Sequence, residues 1–248
     1  MLSASVFLLS FTCSVNATIV EFQTSEGNIQ VNLFDQTTPR TVENFLQYVD
    51  EQHYTTSMIH RVAPDFVVQG GGFTFAGDWP LTRLDVNAAV VNEPIYSNVK
   101  GTIAMAKVAG NPDSATDQWF FNLANNASNL DLQNEGFTVF GQVIGDGMTV
   151  VEKIAGLTLC QDIPMVDYSS QNCTEQSTPS IDNFVVINQI IIIDSSAVTD
   201  ADLNPIKNTL LVTEEETETE SSSSGGAFIW LTVLCLLPLS IRKLIFKS

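Results

Sequence analysis

Arg61, Phe66 and Gln69 fall close together in an otherwise apolar, strand-like run, residues 58–73 (M-I-H-R-V-A-P-D-F-V-V-Q-G-G-G-F). A guanidinium keeps its charge and can only donate hydrogen bonds. Leaving one unpaired beside an aromatic ring is costly in a plain core. The trio suits a site that grips a polar but neutral group, such as an amide. The competing reading makes Arg61 a structural ion pair with Asp65 or Glu93. Phe66, like Phe120 and Phe137 further on, would by itself be ordinary core. His53 and His60 have no neighbouring Ser/Asp or metal-ligand partner and read as structural; Asp113, Ser114 and Asp117 read as loop or turn residues. Gly70-Gly71-Gly72 reads as a turn that admits positive φ rather than a phosphate-binding loop. No metal site and no cofactor are expected.

The elements that must position these residues are mostly strands. Residues 18–24 and 28–34 alternate around Ser-Glu-Gly and predict a β-hairpin. Thr38 suits an N-cap, and Pro39 suits the first helical position. Val42, Phe45, Leu46 and Val49 then recur on one helical face. Strand-like pieces follow at 57–62, 66–69, 101–106, 119–123 and 137–144, a second helix near 148–155 with Val150, Val151 and Ile154 inward, and a last Ile/Val-rich strand at 184–194. Many short strands and two helices predict a mainly β protein, a closed barrel rather than an α/β sheet, because closure removes exposed edges.

Four patches in order carry a resemblance to a known family: Pro39-Arg40-Thr41-Val42-Glu43-Asn44-Phe45; the run 58–73; Gly101-Thr102-Ile103-Ala104-Met105-Ala106 followed by Asp117-Gln118-Trp119-Phe120-Phe121-Asn122; and Phe137-Thr138-Val139-Phe140-Gly141-Gln142-Val143. Together they resemble the cyclophilins, the peptidyl-prolyl cis-trans isomerases, over roughly residues 18–194. The resemblance implies a closed antiparallel β-barrel capped by two α-helices, and acceleration of X-Pro bond rotation. It makes Arg61 the catalytic arginine and Phe66, Phe120 and Leu130 walls of a proline pocket. Val67 and Phe137 stand at further pocket positions. Gln69 and Gln118 become the polar groups that hold the substrate, and Met105, Ala106 and Lys107 the strand and its continuation that pair with the substrate backbone. The partners implied are proline-containing polypeptides. A non-catalytic proline-peptide-binding chaperone module on the same fold is the alternative.

The chain has 248 residues, and its ends set its expected location. Residues 1–17 are apolar, end in Val-Asn-Ala and read as a signal peptide. The folded domain is expected at 18–195 and a flexible acidic and Ser/Gly linker at 196–226, whose residues 213–226 are too polar to offset their ordering entropy. A hydrophobic segment at 227–248 ends in basic residues. The order Gly-Gly, apolar run, basic end resembles the bacterial GlyGly-CTERM sorting signal; a plain tail anchor and a GPI signal are the other readings. All of this places the chain in the periplasm or on the cell surface, anchored to the membrane at least transiently, where it would assist folding of exported proteins. Between residues 18 and 226 there are 7 basic and 28 acidic residues, a balance of −21 that repels nucleic acid. Cys160 and Cys173 flank a polar stretch and, in an exported chain, read as a disulfide closing a surface loop; two free thiols are the alternative.

Several positions depart from the best-known eukaryotic relatives. Val67 stands where methionine is common, Lys107 where asparagine follows Met-Ala, and Phe137 where histidine is frequent. Asn129, just before Leu130, stands where many members carry a tryptophan that contacts cyclosporin. Losing an indole removes a large apolar contact and a hydrogen-bond donor. Weak cyclosporin inhibition with isomerase activity retained is therefore expected; submicromolar inhibition of the purified domain would contradict it.

Overall fold

The first hairpin forms as expected from β1 (Ile19–Thr24) and β2 (Gly27–Leu33), followed by helix α1 (Pro39–Asp50). Then come β3 (Ser57–Ala63), β4 (Val67–Thr74), the short β5 (Thr82–Arg83), β6 (Thr102–Met105) and β7 (Trp119–Asn122). The one-turn helix α2 (Ala127–Leu130) leads through a 3-10 turn to β8 (Val139–Ile144) and α3 (Gly147–Ala155). A small hairpin, β9 (Thr158–Cys160) and β10 (Ile163–Met165), precedes a second short helix, α4 (Ser170–Thr174), and the last strand β11 (Val186–Asp194). The computed structural model describes residues 18–196 and 203–211. The expected leader at 1–17, the Ser/Gly part of the linker and the apolar segment 227–248 lie outside the described residues. Among those described, no helix is long and apolar enough to cross a membrane.

The strand order β3-β11-β1-β2-β8-β6-β7-β4, with β3 paired again to β4, closes eight antiparallel strands into a barrel, and β5 adds to the end of β4. Side chains alternate across each strand, so one row fills the interior. Phe22, Trp119, Phe121 and Phe140 meet there, with Phe22 and Trp119 rings 4.9 Å apart. Both longer helices feed the same core: α1 sends in Val42, Phe45, Tyr48 and Val49, and α3 sends in Val151 and Ile154. The sequence reading of two helices captured these and missed α2 and α4, which are too short to show a helical period.

Three expectations are corrected. The glycines 70–72 do not form a turn; they lie within β4, where Gly71 takes φ +91°. A Cβ on Gly72 would stand 2.3 Å from Arg83 Nη1 and 2.6 Å from Gln118 Cγ, so the bare backbone makes room for neighbouring side chains. Thr38 sits at the N-cap of α1, but its hydroxyl donates to Phe34 O and caps nothing. The Glu93 carboxylate arrives instead, accepting from Arg40 N, Thr41 N and Thr41 Oγ1. The linker, expected to be flexible from residue 196, is placed against the barrel at 203–211, where Ser97 N donates to Ile206 O and Asn208 N to Ile95 O. The Cys160 and Cys173 side chains come together within disulfide reach, with Cα atoms 5.3 Å apart, and the β9–β10 hairpin meets β3 where Asp162 O accepts from Val62 N at 2.6 Å.

An anionic cap at a helix N-terminus combines orphan-donor satisfaction with the helix dipole. Glu93→Ala is accordingly expected to lower unfolding free energy by about 1–2 kcal/mol, read as a shift of the urea midpoint at unchanged m-value.

Candidate functional site

The outer row of the barrel, opposite the core side chains, carries the site. Cross-strand register sets Arg61 of β3 opposite Gln69 of β4, Gln69 opposite Phe120 of β7, and Phe120 opposite Ala104 of β6. Four neighbouring strands thus bring together residues scattered over the sequence. The same alternation turns the Met105 side chain away from this row. Its side chain is fully buried in the interior cluster, and its N–H is taken by Thr138 O. Ala104 and Ala106 face outward in its place.

Arg61 is half-buried and has no carboxylate partner among the described residues, which sets aside the ion pairs with Asp65 or Glu93. Its Nη1 donates to Gln69 Oε1 at 3.3 Å, and Gln69 Nε2 donates to Gln118 Oε1 at 2.8 Å. A guanidinium only donates, so Gln69 must turn its oxygen toward Arg61 and its NH₂ toward Gln118. That fixes Gln118 as well: its oxygen is used, and its NH₂ is left to donate. The guanidinium and the two amides thus stand beside an apolar surface.

That surface is a cluster of Phe34, Val67, Ala104, Phe120, Leu130 and Val139, with Phe66, Ala106 and Phe137 against it. Phe120 meets Phe137 edge to face at 5.8 Å. Phe66, Val67, Phe120, Leu130 and Phe137 are thus brought together as expected. Lys107 joins them differently. Its ammonium donates to Asn134 O and Gly136 O and lies 4.8 Å from the centre of the Phe137 ring. Burial pushes this amine down to about 8, against the opposing pull of Glu135 and Asp113. The Lys107 side chain thus braces the 134–136 loop and the Phe137 ring, while the substrate pairing of its backbone stays an expectation.

Buried amides hold the walls. Asn126 Nδ2 donates to Phe66 O and to Asn122 Oδ1; Asn122 Nδ2 donates to Asn98 Oδ1 and Thr102 Oγ1. Asn98 Nδ2 in turn reaches Asp131 Oδ1 and Phe137 O. Sequence reasoning missed this network, since a polar residue at a strand end or in a loop carries no sign of the distant partner it bonds. It also missed the pair behind Gln118. Asp117 lies in a bend before β7, as expected, but is fully buried; Arg83 binds it with two N–H groups, and His53 Nε2 lies 3.2 Å away, giving that histidine the partner it seemed to lack. Burial alone would raise the Asp117 carboxyl; hydrogen bonds from His53 and Arg83 and the Arg83 charge outweigh it and hold the carboxyl below its usual range.

The family model described as "Cyclophilin type peptidyl-prolyl cis-trans isomerase/CLD" matches residues 19–175. A peptidyl-prolyl cis-trans isomerase of Acinetobacter baylyi is 41% identical over 141 residues, 56% of this chain and 73% of its own. Peptidyl-prolyl cis-trans isomerase B of Escherichia coli is 37% identical over 165 residues, 63% of this chain and 98% of its own. A crystal structure of a Cryptosporidium parvum cyclophilin-type isomerase with the dipeptide Ala-Pro shares the fold at a TM-score of 0.53 and 18% identity, covering 71% of this chain and 99% of that one.

His60, packed at 4.7 Å against the Phe73 ring, supplies a pH test of the site's surroundings. Burial lowers its imidazole to about 4, opposed by Met58 and Gln118. The unfolded chain takes up this proton near 6.5 and the folded chain only near 4. The folded state is therefore favoured above pH 6.5 and loses that advantage as pH falls toward 4. The difference in unfolding free energy between wild type and His60→Gln should change by on the order of 3 kcal/mol across this window; parallel urea curves for the two proteins would contradict it.

Proposed function

We propose, on the premise that this chain belongs to the cyclophilin-type peptidyl-prolyl cis-trans isomerase family, that it turns X-Pro bonds in polypeptides folding outside the cytoplasm. Isomerisation of peptidyl-prolyl bonds is the enzyme activity of this chain; the proposal concerns its clients and its setting.

The observation that carries the mechanism is the relay from Arg61 through Gln69 to Gln118 beside the Phe66, Phe120 and Leu130 surface. Rotation about a peptide bond costs ~18–20 kcal/mol because it breaks amide resonance. In the twisted state the proline nitrogen regains its lone pair and becomes a hydrogen-bond acceptor. A guanidinium aimed at it gains more there than from the planar amide, so it stabilises the transition state selectively. The apolar cluster holds the proline ring, and the Gln118 NH₂ can hold a substrate carbonyl. No proton is transferred and no covalent bond is exchanged.

The setting outside the cytoplasm is supported by the leader-like residues 1–17 and by the Cys160–Cys173 pair, whose bond would persist in oxidising compartments. The Gly-Gly, apolar and basic order at the C-terminal end supports sorting to the cell surface. Mass spectrometry of the mature protein from cells would read both processing sites and the bridge. An intact leader on the cellular protein would overturn the export reading.

Arg61→Ala should lower kcat/KM on an X-Pro peptide by about 10²–10³-fold, measured by NMR exchange without a coupling protease. Arg61→Lys should recover little, because an ammonium cannot present the planar fork that bonds Gln69 and the substrate together. Wild-type binding of proline peptides with no rate enhancement would favour a non-catalytic binding module.

A further inference from the structure

We propose that residues 203–211 form a strap that holds the wall of the proline pocket, and that Asn208 is a positioning residue for isomerisation; this rests on the isomerase reading of the site. The wall runs from Ala127 to Phe137 and has little regular structure. It holds one turn of helix, a short 3-10 turn and three successive residues of positive φ, Asn134, Glu135 and Gly136. Such a segment makes few ladder hydrogen bonds of its own and must be fixed from outside. Yet it carries Leu130 and Phe137, two surfaces of the pocket, joined through Phe137 N to Leu130 O at 2.8 Å.

The strap reaches this wall along its length. Leu203 packs on the apolar cluster that includes Leu130. Lys207 then pairs antiparallel with Tyr96, flanked by Ser97 N to Ile206 O at 2.8 Å and Asn208 N to Ile95 O at 2.9 Å. From that anchored position Asn208 Nδ2 donates to Asp131 O at 3.0 Å, next to Leu130. Leu211 Cδ1 lies 3.0 Å from where a Cβ on Gly136 would be, so the strap closes over the residue before Phe137. The segment it lies on is tied to the same wall, because Ser97 Oγ and Asn98 N both donate to the Asp131 carboxylate. Strap, loop and wall form one hydrogen-bonded stack with Asp131 at its centre. A looser wall would weaken the grip on the proline ring in ground state and transition state alike, and uniform binding of that kind shows in KM rather than kcat.

The test uses the full chain carrying Asn208→Ala or Asn208→Pro, the second removing the backbone donor as well. Amide hydrogen exchange at Phe137 and the KM and kcat for an Ala-Pro-containing peptide are measured beside urea midpoints. Asn208→Ala is expected to speed Phe137 exchange and raise KM on the order of fivefold, the size of one ordinary hydrogen bond, with kcat within about twofold. Asn208→Pro should move both further. Unchanged exchange and unchanged KM in Asn208→Ala overturn the proposal, as does a fall in kcat alone. Should Asn208→Pro unfold, Asn208→Ala decides. A wild-type chain without isomerase activity would sink the functional reading instead, and the strap would then stand or fall on the exchange result.

Discussion

The buried carboxylate of Asp131 is the interaction on which the site depends. It is 1% exposed and is satisfied by Ser97 Oγ, Asn98 N and Asn98 Nδ2. A buried acceptor of this kind is tolerable only when its bonds are complete. Completing them forces the loop before β6 against the loop before β8. Asn98 and Asn122 extend the same chain to Asn126, which holds the carbonyl of Phe66. One polar network thus fixes Phe66, Leu130 and Phe137 relative to one another. The apolar cluster is held in shape by these amides as well as by its own packing, and the amides add a directional restraint that dispersion between rings cannot.

The barrel supplies the second constraint. Closure through β3 and β4 sets Arg61 opposite Gln69, and the next pairing sets Gln69 opposite Phe120. A one-residue slip in either register would turn the whole row into the core. The interior aromatics oppose such a slip, since Trp119 and Phe121 flank Phe120 and are both fully buried. The glycines of β4 let this row pack closely. Gly70 passes beside Trp119, and Gly72 beside Arg83 and Gln118, at distances a Cβ would violate.

Much of this was legible in the sequence, for physical reasons that differ by element. The hairpin, α1, α3 and the long strands announced themselves by period, and Arg61 by being a charge in an apolar run. Met105 lies in its strand as expected, but a motif conveys adjacency along the chain and not which face a side chain takes; its side chain turns inward. Glu93 at the N-terminus of α1, and Asp117 beneath Arg83 and His53, could not be read at all. Each acts over dozens of residues in sequence, and nothing local distinguishes a capping or buried carboxylate from a solvated one. The strap escaped for the opposite reason: it sits just before an acidic run and shows no strand or helix period, and its order comes from backbone pairing to Tyr96 and the packing of Leu203 on the barrel.

These placements explain how a strongly acidic chain keeps one guanidinium free of carboxylates. Acids outnumber bases 28 to 7 between residues 18 and 226, so a pairing partner for Arg61 is easily supplied. A carboxylate there would cancel the field that the twisted amide nitrogen needs, since catalysis by this route is electrostatic. Three of the acids are committed elsewhere: Glu93 to the N-terminus of α1, Asp117 to Arg83 and His53, and Asp131 to Ser97 and Asn98. In their place Arg61 has Gln69, a neutral acceptor that orients the fork without neutralising it. The general negative field still lowers the cost of holding a cation there. The arrangement therefore separates two electrostatic demands: distant acids favour the charge, and the contact partner leaves its field available to the bond that must turn.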